Sequence, residues 1–498
     1  MSLSRVERLK LYLDPMDEDD EGKKDLFKYI LYSVFARFLP IMIPTKHILV
    51  TGQVLSDGRG DYFHIKKTAE KIKNLFPTYQ VYMVAELEEL TVNIGYFESA
   101  EKEIETFLLL PGIHDNERAL LKENCHKYDL IINTPSLYYP TFILNSEKQQ
   151  EHAVHQLDNS IRLAEYGIRD FHNQIPLGLS CDSLGIILEE DQKNYKIENI
   201  ESGFLKTLLI EDQSIEEFLA TNNLYFGYFR QGVTPEWENF LFQFWNAYST
   251  KDKIVIVLNF KNKIDLIQVE KNCSRKVALK IFTAPFFAYF NAKRIEVYLK
   301  NKSYFEELDS IDSGGMHSLK IIDPFPLSHN DFLTMIQKSD LPTAVMGDQS
   351  FGEAVSFYKL PFYQPLAHKQ SFIYELREYL EDYFPNSHQL IKLFYECIYN
   401  FKYKRMSSDL EISKLAKSMG AQFKKEENRE DLHSFLHHIH EEYSFVDIIG
   451  GVVSEFLLSR AEVQYNNLKQ DIFNEYISGN LSESNVEELI SEYLLQSK

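Results

Sequence analysis

Twice along this chain, short apolar runs bounded by turn residues alternate with longer amphipathic stretches, and that alternation constrains the fold more than any other feature. Strands that alternate with helices build parallel sheets covered by helices on both faces. In the first series His47 to Gly52 reads as a strand, Tyr62 to Phe76 as a helix, Gln80 to Ala85 as a second strand and Leu130 to Asn133 as a short buried strand. In the second series Leu224 to Phe229, Lys253 to Asn259, Leu319 to Asp323, Thr343 to Met346 and Leu360 to Tyr363 read as strands. Helices fit Glu236 to Tyr248, Asn262 to Lys271, Asn330 to Ser339 and a short stretch from Ser350. The expected class is α/β, with two tandem doubly wound domains facing a cleft and a helical C-terminal extension, and ligands should gather at the carboxyl ends of the strands.

The expected boundaries are a helical leader over 1–45, a first domain over 46–215, a second over 222–382 and the helical extension over 383–498. Asn194 to Ser214 is polar with little periodicity and reads as a linker or crossover. The longest apolar stretch, Leu26 to Ile43, holds Lys28, Arg37 and Pro40, which fits a core-facing amphipathic helix better than a membrane span. No secretory signal opens the chain, because Arg5, Arg8 and Lys10 lead into the acidic run Asp17 to Glu21. Against 53 Lys and Arg stand 74 Asp and Glu, a net charge of −21 that repels phosphate backbones and anionic lipid. Nucleic acid and integral membrane insertion are therefore poor matches. Cys125, Cys181, Cys273 and Cys397 have no CxxC spacing and read as reduced, buried thiols of a cytoplasmic protein.

Two segments carry candidate chemistry. After the first strand, Ser56-Asp57-Gly58-Arg59-Gly60-Asp61 combines two glycines that permit a tight turn with Asp61 at a helix N-cap position, its carboxylate aimed at the cleft. The plainer reading makes Asp57 a turn residue and Asp61 only a cap. In the second domain a strand ends in Gly347-Asp348-Gln349-Ser350 and a short helix follows, which offers backbone N–H groups, the positive helix end and the Ser350 hydroxyl to a diphosphate without a metal. Asp348 would repel phosphate, so facing a ligand it would accept from sugar hydroxyls; the plainer reading has Asp348 and Ser350 capping the helix. Pro324-Phe325-Pro326 follows a strand at the cleft edge, where Phe325 can stack on a nucleobase. Arg230 follows the first strand of the second domain and can neutralise diphosphate, or form a surface ion pair. Ser328 reads as a helix cap. His433, His437, His438 and His440 read as a solvated helix face, because no third metal ligand accompanies the i, i+4 pair.

Over roughly 222–370 the chain resembles the donor half of GT-B glycosyltransferases, most nearly the bacterial enzymes that rhamnosylate an arginine of elongation factor P. The resemblance runs through "LYFGYF", "PEWENFLFQFWNAY", "KIVIVLNFKNKIDLI", "LKIIDPFPLSHNDFLTMIQKSD", "GDQSFGEA" and "KLPFYQP", and in the first domain is confined to "SDGRGD" and the following helix. It implies two Rossmann-like domains, Asp57 and Asp61 as the family's two aspartates with the second as general base, Tyr228 and Phe325 lining the nucleotide pocket, and Asp348 and Ser350 at the diphosphate and sugar. Gln349 stands where the family has a second acidic residue, and "YQPLAHKQ" replaces its "HIYPQ".

The combined expectation is an inverting, metal-independent glycosyltransferase that moves a sugar from a nucleoside-diphosphate donor, a substrate rather than a cofactor, to a protein or small acceptor. Asp57 and Asp61 suit a basic acceptor such as a guanidinium. Catalytic candidates are Asp61 and Asp57; binding candidates are Gly58, Gly60, Tyr228, Arg230, Phe325, Gly347, Asp348, Gln349 and Ser350. Rival readings are a catalytically silent interaction protein that binds a partner through its helical tail, and a nucleotide-sugar epimerase of the same architecture. The acidic end "SESNVEELISEYLLQSK" is similar to the glutamate-rich tails of secreted bacterial effectors, with a plain solvated helix as the alternative.

Overall fold

The fold is that of a computed structural model, which describes residues 46–55, 59–88, 103–135, 159–168, 174–180, 185–189, 194–210, 214–229, 251–259, 292–299, 317–364, 369–395, 425–459 and 482–496, with isolated positions between. The leader, the helices expected at 236–248 and 262–271, Cys181, Cys273 and Cys397 lie outside these residues. The chain forms two compact units, the first of 1–187 and 442–498 and the second of 188–441.

In the first unit six strands, β1 (His47–Val54), β2 (Gln80–Leu87), β3 (Glu105–Leu109), β4 (Leu130–Asn133), β5 (Ser160–Leu163) and β6 (Gln174–Ile175), form one sheet in the order β3-β2-β1-β4-β5-β6. All its pairings are parallel. Helix α1 (Arg59–Leu75) covers one face so closely that a Cβ on Gly52 would meet Ile65 of the helix at 3.0 Å and Thr134 Oγ1 at 2.5 Å. Leu49, Val84, Leu109, Ile131 and Phe142 fill the other face together with Cys125, which follows α2 (Asp115–Asn124). Burial pushes the Cys125 thiol up to about 11, as an inert buried cysteine requires.

The second sheet holds β7 (Asn222–Gly227), β8 (Lys253–Leu258), β9 (Ala292–Leu299), β10 (His317–Asp323), β11 (Thr343–Met346) and β12 (Pro361–Gln364), in the order β12-β11-β7-β8-β10-β9 and again parallel throughout. The expected α/β class, two tandem doubly wound Rossmann-like units with further helices toward the C-terminus, is the one observed.

Two boundaries differ from expectation. The described residues of this segment, 194–210 and Ser214, do not link but pack: α3 (Gly203–Ile210) buries Leu205 and Leu209, and α4 (Ile215–Thr221) leads into β7. The backbone N–H groups of Glu201 and Ser202 donate to the Asp331 carboxylate at 2.8 and 2.9 Å, which fixes this segment to the second unit. The C-terminal helices are likewise shared out. Helix α8 (Glu426–Glu442) belongs to the second unit apart from its last residue, whereas α9 (Phe445–Ser459) packs on α1 and α10 (Glu483–Gln496) falls within the first. Return to the first unit is made by backbone: Ile186 N–H donates to Tyr443 O at 2.5 Å and Phe445 N–H to Ile186 O at 2.9 Å. Gly185, at φ +105, lies so near that a Cβ would be 2.0 Å from Tyr443 O. Among the described residues no helix is long and apolar enough to cross a membrane.

Candidate functional site

Strand β7 lies between β8 and β11, so the chain leaves it toward one side of the sheet and later crosses to the other. The carboxyl ends flanking such a reversal diverge and leave a crevice. Here they end in Gly227-Tyr228 and Met346-Gly347.

Gly347 holds φ +83, a conformation that L side chains rarely adopt, and caps α6 (Asp348–Ser356). A Cβ added to it would meet nothing within 4 Å, so the backbone borders open space. Every residue of α6 is buried. Asp348 does not face outward to sugar hydroxyls: its carboxylate, in a residue 4% exposed, sits 3.0 Å from Lys369 Nζ and 3.5 Å from Tyr363 OH. Lys369 is itself buried, at the start of α7 (Gln370–Tyr383). The lysine removes the electrostatic objection to an anion here, because the Asp348 charge is compensated beside the positive helix end.

Ser350 departs from expectation in a second way. Its hydroxyl donates to the carbonyl of Met346 and lies 3.2 Å from that of Gly347, so its one proton is committed to the turn. Gln349 Nε2 donates to Glu353 Oε1 at 2.8 Å, while Gln349 Oε1 is buried without a hydrogen bond. His329 Nε2, at the start of α5 (His329–Lys338), lies 3.5 Å from the same Glu353 oxygen. With Glu189 these residues bring three ligating atoms within 4.8 Å of one another, close enough to share a cation. Ser328 caps α5 as expected, accepting from Asp331 N–H at 3.2 Å.

Tyr228 and Phe325 come together. Their rings stack at 5.4 Å and 29°, and Phe332 closes edge-on against Tyr228 at 5.5 Å. Both Tyr228 and Phe325 are half-buried, so aromatic surface remains at the same end of the sheet as Gly347. Arg230 lies outside the described residues.

In the first unit, the corresponding reversal lies at β1, between β2 and β4. Asp57 and Gly58 fall outside the described residues. Gly60 and Asp61 are inside α1 rather than before it: the helix begins at Arg59, Asp61 lies in its first turn, and Asp61 Oδ2 accepts from Leu55 N–H at 3.3 Å. The carboxylate therefore reaches back toward the end of β1.

The histidines of α8 divide. His433 and His437 are exposed as expected, but His438 bonds Tyr379 OH at 2.6 Å, and His440 stacks on Tyr358 at 4.7 Å with Nε2 3.0 Å from Val355 O. Sequence reading missed Lys369, Glu353, His329 and Glu189. The only local signal was charge inside otherwise apolar segments.

No protein-family model matches the chain, and no curated protein matches it in sequence. Solved structures that superpose on it include a UDP-GlcNAc 2-epimerase from Neisseria meningitidis bound to UDP-GlcNAc (12% identity, 76% of this chain and 99% of the other, TM-score 0.33). A glycosyl transferase family 9 protein from Veillonella parvula (14%, 76% and 98%, TM-score 0.29) and Anabaena HepE in complex with UDP and glucose (11%, 83% and 100%, TM-score 0.30) also superpose. The superpositions are loose.

Proposed function

We propose that this chain is a glycosyltransferase that takes a sugar from a nucleoside-diphosphate donor held at the β7–β11 end of the second sheet. The observation that carries this reading is the Gly347 turn: an unobstructed positive-φ glycine opening a buried helix at a topological switch point, beside the Tyr228–Phe325 stack. The turn and helix end suit the diphosphate, and the half-buried aromatic surface suits a base.

Transfer proceeds with inversion. An acceptor lone pair forms the bond to the anomeric carbon as the bond from that carbon to the diphosphate oxygen breaks. The leaving oxygen takes the electron pair, and the acceptor's proton passes to the Asp61 carboxylate. The α6 N-terminus, with Lys369 neutralising Asp348, stabilises the charge developing on the diphosphate, so no divalent metal is required.

The test is release of nucleoside diphosphate from a panel of UDP-, GDP- and dTDP-sugars, with and without excess EDTA. Release that survives EDTA supports the reading. Dependence on Mn²⁺ or Mg²⁺ contradicts metal independence and directs attention to Glu189, His329 and Glu353. A changed sugar still attached to its nucleotide identifies an epimerase instead, and intact donor with every acceptor identifies a silent binding protein.

A further inference from the structure

Three separate pieces of the second unit converge on one point. Glu353 lies on α6, four residues after Gln349 and on the same helical face. His329 opens α5, and Glu189 belongs to the chain that enters the unit. Each offers one ligand atom, and the three atoms lie within 4.8 Å of one another.

The elements that carry them are firmly placed. Glu189 N–H donates to Ser356 Oγ at 2.7 Å, which ties the entering chain to the far end of α6. Ser328 caps α5, and Asp331 in the same turn accepts from the N–H groups of Glu201 and Ser202. Helix α6 is buried along its whole length. Ligands borne on such supports are preorganised.

The separations suit neighbours around an ion better than hydrogen-bonded partners. His329 Nε2 stands 3.5 Å from Glu353 Oε1. An N–H···O bond normally spans about 2.7–3.2 Å, whereas nitrogen and oxygen ligands of a tetrahedral zinc ion, each about 2.0–2.2 Å from the metal, lie about 3.3–3.6 Å apart. Gln349 adds an independent sign. The residue is 4% exposed and its Nε2 donates to Glu353 Oε1 at 2.8 Å, so its amide rests against the cluster, yet Oε1 is buried with no hydrogen-bond partner. A buried carbonyl left in that state is costly, and a partial turn of the amide about its last bond presents it to an ion held by Glu353. Glu189 and His329 are partly exposed, so an ion reaches the cluster from solvent. None of these side chains has to be idle: each carboxylate keeps a second oxygen, and the imidazole its Nδ1, for other partners.

We propose that Glu189, His329 and Glu353, with Gln349 Oε1 as a fourth donor, form a structural zinc site that fastens the chain entering the second unit to α5 and α6. Two carboxylates and a neutral imidazole balance the charge of a divalent ion. The imidazole favours zinc over Mg²⁺ and Ca²⁺, which prefer oxygen throughout. Four protein donors leave no position for a substrate, the pattern of a structural rather than a catalytic ion. Such an ion takes no part in sugar transfer, so the site stands apart from the glycosyltransferase reading.

The experiment uses the full chain without an affinity tag, stripped by chelation and dialysed, then titrated calorimetrically with Zn²⁺ and, as contrasts, Mg²⁺ and Ca²⁺. One Zn²⁺ should bind per chain with micromolar or tighter affinity, Mg²⁺ and Ca²⁺ at least about a hundredfold more weakly, and saturating zinc should raise the unfolding temperature by about 5 °C. Glu189→Gln and His329→Gln, both at partly exposed positions, should each lose zinc affinity by about tenfold or more. His433→Ala and His437→Ala, which remove the exposed imidazoles of α8, should keep it. Wild-type protein loaded with Co²⁺ should show the visible bands of a nitrogen and oxygen site without thiolate charge transfer in the near ultraviolet, which identifies the donors without any substitution.

Absence of zinc binding at submillimolar concentration overturns the site. So do wild-type affinity in both cluster variants, loss of affinity in the α8 variants instead, or a thiolate band in the Co²⁺ spectrum. Nucleoside-diphosphate release is compared in stripped and zinc-loaded protein: equal rates accord with a structural ion, and release by the loaded form alone overturns that role. Release by neither sinks the glycosyltransferase reading, while the zinc titration still decides the site.

Discussion

Neutralising either partner of the Asp348–Lys369 pair should destabilise the second unit sharply, while neutralising both should cost little. The two side chains are 3% and 7% exposed and 3.0 Å apart, so removing one leaves a charge with almost no water to solvate it. Asp348→Asn, which takes the carboxylate charge from beside the buried ammonium, should cost about 3–5 kcal/mol. Lys369→Met should cost less, about 2–4 kcal/mol, because the α6 N-terminus still favours the abandoned carboxylate. The double variant replaces a buried ion pair by neutral groups and should lie within about 2 kcal/mol of the wild type, a coupling of at least about 3 kcal/mol. Urea unfolding followed by circular dichroism measures each cost. Single variants that each cost under about 1 kcal/mol and combine additively would refute the argument and return Asp348 to a ligand-facing role.

Asp61→Asn keeps an oxygen for the Leu55 N–H but removes the proton acceptor, so turnover should fall by about 10²–10⁴-fold at unchanged donor affinity; near-wild-type turnover would remove Asp61 from the mechanism. Ser350→Ala should weaken nucleoside-diphosphate binding less than about threefold, roughly 0.6 kcal/mol, because the hydroxyl proton already serves the Met346 carbonyl; calorimetry showing a tenfold loss would mean that the hydroxyl turns toward the ligand. Lys359, buried beside the Ser339 carbonyl, has its pKa lowered to about 8 by burial, against partial opposition from Asp340. Its folded value lies below the unfolded one, so between pH 8 and 10 the unfolded state binds more protons and stability rises with pH; Lys359→Met should flatten that rise. Gly185→Ala must push a Cβ into the Tyr443 carbonyl and should free the 442–498 segment to limited proteolysis, whereas wild-type protection would contradict the close approach.

Much of the sheet was legible because its central strands are short unbroken apolar runs. Leu130–Asn133 and Thr343–Met346 were read with their observed limits. The strands that escaped reading are those whose burial is set from outside their own pattern. Glu105–Leu109 begins polar at an edge, Ser160–Leu163 places an arginine inside the sheet, and Ala292–Leu299 carries Lys293, Arg294 and Glu296. Residues 194–214 looked like a linker because polar residues outnumber apolar ones, yet Leu205 and Leu209 on one helical face suffice to dock them. The Gly347 turn was readable from a glycine after a strand and before a helix. Its chemistry was not: Lys369 reaches Asp348 from 21 residues away, and His329 reaches Glu353 from the neighbouring helix.

The central claim is that a nucleoside diphosphate binds at the Gly347 turn of the second unit. Titration calorimetry of UDP, GDP and dTDP against the wild type and Gly347→Val tests it most directly. The substitution forces a β-branched residue to φ +83 and fills the open space at the mouth of α6, while its cost to folding, roughly 1–2 kcal/mol, leaves a cooperative unfolding transition visible by circular dichroism. The account predicts micromolar binding of at least one nucleotide by the wild type and at least a tenfold loss in the folded variant. Binding of equal strength in both proteins, or no binding of any nucleotide by the wild type at millimolar concentration, would contradict it.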